Sequence, residues 1–435
     1  MRIRDEPGRR FASETHATHA PRGPGFGANI ELEHRNMQSN KPPSPGATVR
    51  RLERALQRRP LDVAAHQHLA EAHRKLLQRS DREQELAAIC QELPFAFTSQ
   101  LHLGALAEQR GDRWAATTGF LRAIRTAQLR GFWFDQGSTQ PWIQQLVLHA
   151  MSFVDRGRNE LFHAVLEPLT VRYGADELAR VRQALAMYLG LEPTVHADPR
   201  QDPRFLYIPG LPIAPVFPRE ALPFADWYEA QTDAIAGELH AVLAGGGGIQ
   251  PFHYDVPEAQ RTSLTAGGDW DAYFFYEDGE RVAAHHAACP QVSAVLAQLP
   301  LDHVRDHGPE VCFSIMRPGA HILPHRGVTN ARAVLHLALD VPPGCALHLT
   351  GIGEQTWEAG RCFAFDDTYE HEAWNRSGAT RAILLADIWN PYLRPAEREA
   401  IAELVGAIGD FNRQTAPAPL ATTGPSGAPS PAARR

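Results

Sequence analysis

Cysteine is scarce in this chain and shows no paired spacing. The five cysteines are Cys90, Cys289, Cys312, Cys345 and Cys362. Their number is odd and no CxxC motif occurs, so the pattern indicates neither a disulfide framework nor a zinc knuckle. A reducing compartment is therefore expected, and the predicted location is the cytoplasm.

Long apolar runs and an excess of positive charge are also missing. No stretch of about 18 apolar residues occurs, and the basic N-terminus lacks the apolar core of a secretory signal. We therefore expect no membrane span. The formal net charge of −7 argues against a general nucleic-acid-binding protein.

Composition divides the chain into four segments. Its 435 residues, 43% of them hydrophobic and 21% charged, leave room for two or more domains. Residues 1–45 are rich in Gly, Pro, Arg and His, and residues 413–435 in Pro, Ala, Ser and Gly, so both tails are predicted to be disordered. Residues 46–195 are predicted to be α-helical, and residues 196–412 to form a catalytic domain.

The helical segment contains the alternation of small and large residues that is typical of a tetratricopeptide repeat (TPR) of about 34 residues. The pattern consists of Leu103, Gly104, Gly111, Ala116, Phe120 and Ala123. Small residues at such positions let two antiparallel helices approach closely. The region either supports the neighbouring domain or presents a concave surface to a protein partner.

The pattern of the catalytic segment changes to that of β-strands after residue 330. Within 331–339, alternate residues divide into two faces, which predicts one face toward the core and the other toward a cavity. Glycines separate further runs at 345–350, 355–358 and 361–365, and another strand is predicted at 379–389. Helices are predicted at 226–243 and 395–411.

Two histidines in this segment have the character of metal ligands. His325 and His371 lie 46 residues apart, too far for one helix face, so antiparallel strands of a small barrel would have to bring them together. A mononuclear site that activates O2 needs few protein ligands, because cosubstrate, oxygen and water share the coordination sphere. With Arg381 downstream, the pattern suggests an iron oxygenase.

Motifs between residues 204 and 389 together resemble one enzyme family. In chain order they run from Tyr207 to Pro212, Phe313 to Gly319, Leu323 to Gly327, Thr329 to Asn330, His336 to Leu339, Phe365 to Asp367, and His371 to Trp374, followed by Arg381. In this order the set resembles the aspartyl/asparaginyl β-hydroxylase family of Fe(II)- and 2-oxoglutarate-dependent dioxygenases. The resemblance implies an α+β multidomain protein, with an N-terminal TPR-like helical region followed by a double-stranded β-helix (jelly-roll, cupin-like) domain with flanking helices.

The resemblance also implies roles for individual residues. His325 and His371 would ligate iron, and Arg381 with Ser314 would hold the distal carboxylate of 2-oxoglutarate, for which a planar guanidinium is suited. His336 would bond the carboxylate end nearer the metal. Gly327 stands where most such oxygenases place an acidic third ligand, which predicts a two-histidine site completed by water.

One position departs from the family. Two residues before His336 the family commonly carries a second arginine, and here the residue is Val334. Arg332 or Arg317 is a candidate to replace it. The adjacent Asp366 and Asp367 are interpreted as turn residues rather than ligands.

The predicted activity is hydroxylation with Fe(II), 2-oxoglutarate and O2. The resemblance implies that the substrate is an aspartyl or asparaginyl residue, hydroxylated at its β-carbon, in a peptide, protein or carrier-bound precursor. Three arginines near the metal are candidates to hold an acidic side chain. They are Arg317, Arg326 and Arg332.

Other interpretations stay open at this point. A related oxygenase could hydroxylate a lipid acyl chain or a free amino acid. The chain could also be a non-catalytic repeat scaffold with a degenerate barrel, a hypothesis that Val334 favours and the retained histidines oppose. A zinc-binding cupin is disfavoured because two histidines make a poor closed tetrahedral site.

Overall fold

The computed structural model describes residues 43–252, 265–267 and 269–418. The tails predicted to be disordered lie almost wholly outside the described residues. At the C-terminal side, however, the last helix continues to Thr415, so ordered structure extends past the predicted boundary at residue 412.

The first part of the described chain is helical, as predicted. Its helices are α1 Pro45–Arg58, α2 Val63–Leu77, α3 Arg82–Glu92, α4 Phe97–Gln109, α5 Arg113–Leu129, α6 Gln144–Tyr173 and α7 Ala179–Tyr188. Ser44, Asp62 and Asp112 each precede a helix and accept a backbone N–H of its first turn. Such caps satisfy donors that have no intrahelical partner.

The antiparallel pair α4 and α5 shows why the sequence alternates small and large residues. A Cβ added at Gly104 would lie 2.8 Å from the Phe120 ring, and one added at Gly119 would lie 3.2 Å from the Gly104 Cα. Gly111, with φ of +78°, turns the chain between the two helices. Gly104 therefore permits the close approach that the repeat pattern predicts.

The predicted helix at 226–243 is in fact two helices. These are α8 Ala225–Glu229 and α9 Thr232–Gly245. At the junction the Thr232 hydroxyl donates to the Glu229 carbonyl at 2.7 Å, which satisfies a carbonyl that a helix end leaves without a partner. The Glu229 carboxylate accepts from the Cys362 amide at 2.9 Å, which fixes α8 to the sheet.

The remaining elements are mostly strands. They are β1 Gln250–Pro251, β2 Thr265–Ala266, β3 Trp270–Glu277, β4 Glu280–Arg281, β5 Val311–Met316, β6 His321–His325, β7 Arg332–Asp340, β8 Cys345–Leu349, β9 Gly353–Gln355, β10 Cys362–Phe365, β11 His371–Asn375 and β12 Arg381–Trp389. Short helices α10 Ala283–Ala288 and α11 Pro290–Leu296 follow β4, and α12 Pro395–Thr415 follows β12.

Two antiparallel sheets result. The larger has the order β1-β3-β5-β12-β7-β10 with β4 beside β3, and the smaller has the order β2-β6-β11-β8-β9. The alternation predicted for 331–339 is present: Ala333, Leu335 and Leu337 enter the core beneath α8–α11, whereas Val334 and His336 line a pocket between the sheets. The strand predicted at 355–358 instead ends at Gln355.

The last helix joins the helical part to the sheets. Phe411 of α12 packs on Phe162 of α6, with ring centroids 5.3 Å apart. Arg180 of α7 donates to both carboxylate oxygens of the buried Glu397, at 2.7 and 2.6 Å. Hydrophobic packing and a bidentate ion pair therefore hold the helical region against the sheet domain.

Membrane-spanning character is absent from the described helices. None of those within residues 43–252 and 269–418 is both long and apolar enough to cross a bilayer.

Substitution of Gly104 tests the helix packing. Gly104→Ala should lower the free energy of unfolding by about 1–3 kcal/mol, because its methyl group would overlap the Phe120 ring. Gly237→Ala in α9 is the matched control, since a Cβ there meets nothing within 4 Å and should stabilise by about 0.4–1 kcal/mol. Denaturant unfolding measures both, and equal effects would contradict the proposed packing.

Candidate active site

His325 and His371 face each other across one strand pair. They are register partners in the antiparallel pairing of β6 with β11, and their ring centroids lie 4.1 Å apart. The smaller sheet therefore brings together the two imidazoles that the sequence separates.

The hydrogen bonds of the two rings define their tautomers. His325 Nδ1 lies 2.8 Å from the Leu323 carbonyl, and His371 Nδ1 lies 2.9 Å from the Tyr369 carbonyl. A carbonyl only accepts, so each Nδ1 carries the proton and each Nε2 carries the lone pair. This is the arrangement in which histidine serves as an oriented metal ligand.

Both imidazoles are held neutral. Burial lowers the pKa of His325. Burial, with a smaller contribution from the neighbouring His325 ring, lowers the pKa of His371 to about 3. Neutral imidazole is the form that binds a metal.

Arg381 is a buried part of the lining of the same pocket. Its side chain is 1% exposed, its Nη1 donates to Ser314 Oγ at 3.3 Å, and its guanidinium lies 4.4 Å from the centre of the Trp357 ring. Burial lowers the pKa of Arg381 to about 10, so the group stays charged at neutral pH. No carboxylate among the described residues forms an ion pair with it, and its Nε has no partner there.

His336 lines the same pocket as Arg381 and the histidine pair. The Trp357 indole N–H donates to His336 Nδ1 at 3.3 Å, so the imidazole proton is on Nε2. Burial, followed by the charge of Arg381, keeps the pKa of His336 well below its usual value. The neutral ring thus offers one N–H donor to a ligand.

Asp367 occupies the space beside Gly327. A Cβ added at Gly327 would lie 2.0 Å from Asp367 Cγ, so the carboxyl fills the space that an acidic side chain at position 327 would enter. Asp367 Oδ2 accepts from Arg332 at 3.1 Å, whereas Oδ1 is enclosed with no hydrogen-bond partner in the described part of the chain. Sequence alone offers no reason to prefer Asp367 over Asp366.

Asp366 behaves as the turn residue that was predicted. Its Oδ1 accepts from the amide and the hydroxyl of Thr368, at 3.0 and 2.6 Å, and its Oδ2 accepts from Gln201 at 2.6 Å. Both carboxylate oxygens are therefore engaged away from the histidines.

Arg332 is paired rather than available to replace the arginine missing at Val334. Its Nη1 donates to Asp387 Oδ2 at 2.9 Å, and its Nη2 donates to Asp367. Val334 itself is an apolar wall of the pocket, 8% exposed. The structure thus provides no second cosubstrate arginine in this position.

The other two arginines lie outside the pocket lining. Arg317 Nε donates to Asp271 at 2.9 Å, and the residue lines a separate surface depression. Arg326 donates to the carbonyls of Arg200 and Thr368, at 2.7 and 3.2 Å. It therefore fastens the turn that carries Asp367 and does not reach the space between the sheets.

The donor set fits a metal that needs few protein ligands. Within the described residues, no group of three or more His, Cys, Asp or Glu side chains is gathered as a metal site, so a metal here would depend on the two imidazoles. The pocket between the sheets is partly open to solvent and is lined by both of these rings and by Arg381. A divalent metal and a dicarboxylate therefore suit the residues present.

Comparison with known proteins confirms the resemblance. Residues 229–391 match the family model described as aspartyl/asparaginyl beta-hydroxylase. Human aspartyl/asparaginyl beta-hydroxylase is 34% identical over 147 residues, which is 34% of this chain and 19% of that protein. The family model thus spans the sheets, and the match to the human protein covers a small part of that protein.

Two other relatives extend the match. Rat aspartate beta-hydroxylase domain-containing protein 2 is 28% identical over 252 residues, 56% of this chain and 70% of that protein. The ornithine lipid ester-linked acyl 2-hydroxylase of Rhizobium tropici is 32% identical over 184 residues, 42% of this chain and 63% of that protein. The relatives are thus hydroxylases, or proteins named for a hydroxylase domain.

A double-mutant cycle tests the contact between Gly327 and Asp367. Gly327→Ala should cost about 1–3 kcal/mol of unfolding free energy, because the new methyl group overlaps the carboxyl. In the Asp367→Ala background the same change should cost much less, since the overlap is gone. Gly378→Ala, where a Cβ meets nothing within 4 Å, is the control. An additive cycle would show that the two residues are not in contact.

Proposed function

We propose that the chain is an Fe(II)- and 2-oxoglutarate-dependent hydroxylase. The observation that carries the proposal is a buried arginine without a carboxylate partner among the described residues, at the end of a pocket whose other side holds paired histidines. A buried charge without a partner costs several kcal/mol of free energy, so an anionic ligand bound to Arg381 would be stabilising. 2-Oxoglutarate has one carboxylate for the arginine and a 2-oxo acid end for a metal.

Different pocket residues would bind the metal and the two ends of 2-oxoglutarate. His325 and His371 would hold iron through Nε2. Arg381 and Ser314 would bind the distal carboxylate, with the Trp357 ring shielding the guanidinium from water. His336 would donate its Nε2 proton to the carboxylate nearer the metal, and Asp367 Oδ1 would accept a hydrogen bond from a ligand beside the histidines. With O2, iron and 2-oxoglutarate supply the oxidation that converts a C–H bond to C–OH, releasing succinate and CO2.

We also propose a jelly-roll architecture for the sheets and a TPR-like architecture for the helical region. Successive strands from β5 to β8 alternate between the two sheets, and β12 returns between β5 and β7. This order supports a double-stranded β-helix, or jelly roll. The close α4–α5 pair supports a TPR-like unit, whose concave side would be a surface for a protein partner.

For the substrate, the family points first to an aspartyl or asparaginyl residue in a peptide, protein or carrier-bound molecule, with hydroxylation at the β-carbon. A lipid acyl chain is the second candidate, favoured by the relative from Rhizobium tropici, whose name records acyl 2-hydroxylation. We place the reaction in the cytoplasm, on the basis of the unpaired cysteines.

Anaerobic titration with Fe(II) and then 2-oxoglutarate tests the cofactor proposal. His325→Ala should abolish tight Fe(II) binding. Arg381→Ala should weaken 2-oxoglutarate binding at least about 100-fold, because charge-assisted hydrogen bonds contribute roughly 1.5–3 kcal/mol each. Succinate release on adding O2 should be lost in both variants.

Matched controls separate site effects from general damage. His240→Ala and Arg376→Ala change an exposed histidine and an exposed arginine outside the pocket lining, and both should bind and turn over like the wild type. A wild-type protein that binds and reacts no better than His325→Ala would refute the proposal.

Mass spectrometry distinguishes the substrate classes. Peptides containing aspartate or asparagine, an acyl-bearing amine lipid and the free amino acids are each incubated with the loaded enzyme. The family-based proposal predicts a mass gain of one oxygen atom in a peptide, mapped by fragmentation to a β-carbon. Oxidation confined to the lipid or to a free amino acid would exclude the peptide class.

A further inference from the structure

Three neighbouring strands align the pocket residues in rows. Ser314 of β5 pairs with Ile383 of β12, two residues from Arg381. In the next row Leu385 pairs with Cys312 and with His336 of β7. The strand register therefore sets a direction, from the proposed 2-oxoglutarate anchor toward the opposite end of the pocket.

The row beyond His336 carries carboxyl groups. Asp387 is the register partner of Val334, and its amide donates to the Glu310 carbonyl at 2.9 Å. Glu310 lies four residues before Ser314 on the same strand face, about 13 Å along β5 at roughly 3.3 Å per residue. Both acidic residues line the pocket, so carboxyl groups are concentrated at the end away from Arg381.

The positive charge nearby is already engaged. Arg332 is the cation in the pocket lining at this end, and it is shared between Asp387 and Asp367, at 2.9 and 3.1 Å. With Glu310 and the buried Asp302, four carboxyl groups thus lie near one guanidinium. Both terminal nitrogens of Arg332 are engaged and only its Nε lacks a hydrogen-bond partner within the described residues, so an incoming carboxylate would compete with Asp387 and Asp367 for this cation.

Glu310 is the carboxyl that still lacks a partner. Its Oε1 is enclosed and has no hydrogen-bond partner within the described residues, and no cation there forms an ion pair with it. Burial, with a further contribution from Asp387, raises the pKa of Glu310 to about 8, so the carboxyl is mostly protonated at neutral pH while the pocket is empty, and a bound cation would displace that proton. A buried acceptor at a pocket wall costs free energy until a ligand donor satisfies it.

We propose that this end of the pocket receives a positively charged group of the substrate, an ammonium or a guanidinium, that donates hydrogen bonds to Glu310. The inference rests on the proposed function, because it takes the histidine pair and Arg381 as the cofactor end. It adds a cationic group to the proposed substrate classes, either a basic residue beside the hydroxylated residue of a peptide or the amine of an acyl-bearing lipid. Val334 fits this assignment, since an arginine there would repel such a group.

Ligand-observed NMR on protein loaded with Mn(II) and 2-oxoglutarate tests the charge preference without turnover. The probes are n-propylammonium, ethylguanidinium, propionamide and propionate, and Mn(II) broadens the signals of those that bind near the histidines. The two cations should bind at least about 10-fold more tightly than propionate, a difference of about 1.4 kcal/mol. Tighter or equal binding of propionate would overturn the proposal, as would cations that bind without broadening.

Variants assign the preference to Glu310. Glu310→Gln keeps the shape of the side chain and should weaken cation binding about 10-fold. Val334→Arg should reverse the order in favour of propionate. Glu280→Gln, at an exposed position on β4, should match the wild type. Unchanged cation affinity in Glu310→Gln would refute the assignment.

Failure of the proposed function would look different. Protein that does not bind Mn(II) and 2-oxoglutarate would contradict the cofactor assignment. Calorimetric titration of the unloaded protein and of Glu310→Gln with ethylguanidinium would then still decide whether Glu310 holds a cation.

Discussion

The register of one strand pair governs the candidate site. β11 is held between β6 and β8, so that His371 pairs with His325 on one side and with Leu349 on the other. A slip of one residue would turn the His371 side chain to the opposite face of the sheet. Pairing on both sides of β11 opposes such a slip, and the distance between the two imidazoles therefore depends on the whole smaller sheet.

Much of this arrangement could be predicted from local sequence. The two faces of residues 331–339 can be predicted from sequence, because successive side chains of any β-strand point to opposite sides. The motifs around His325 and His371 indicate their proximity through a known family. Local patterns are poorer predictors of where an element ends. The helix predicted at 226–243 is interrupted where the Thr232 hydroxyl donates a hydrogen bond to the Glu229 carbonyl. The spacing of hydrophobic residues does not reveal this interruption.

The partners of charged residues could not be predicted in this way. Asp366 and Asp367 are adjacent and chemically identical. Asp366 nevertheless accepts hydrogen bonds from Thr368 and Gln201, whereas Asp367 fills the space beside Gly327. Gln201 is 165 residues from Asp366. Such contacts depend on how distant segments pack, and periodicity and spacing carry no information about them.

The two arginines of the pocket show how partners determine what a charge can do. Arg332 is neutralised by two carboxylates, so it contributes to the packing of the sheet and leaves little field for an anion. Arg381 is buried without a carboxylate partner in the described chain and keeps its full attraction for one. Glu310 and Asp387 line the opposite end, so the pocket has one end with the Arg381 guanidinium and another end rich in carboxyl groups. A dicarboxylate would be drawn to Arg381, whereas at the opposite end it would have to compete with Asp387 and Asp367 for Arg332, so the partners of the two arginines would direct it to the Arg381 end.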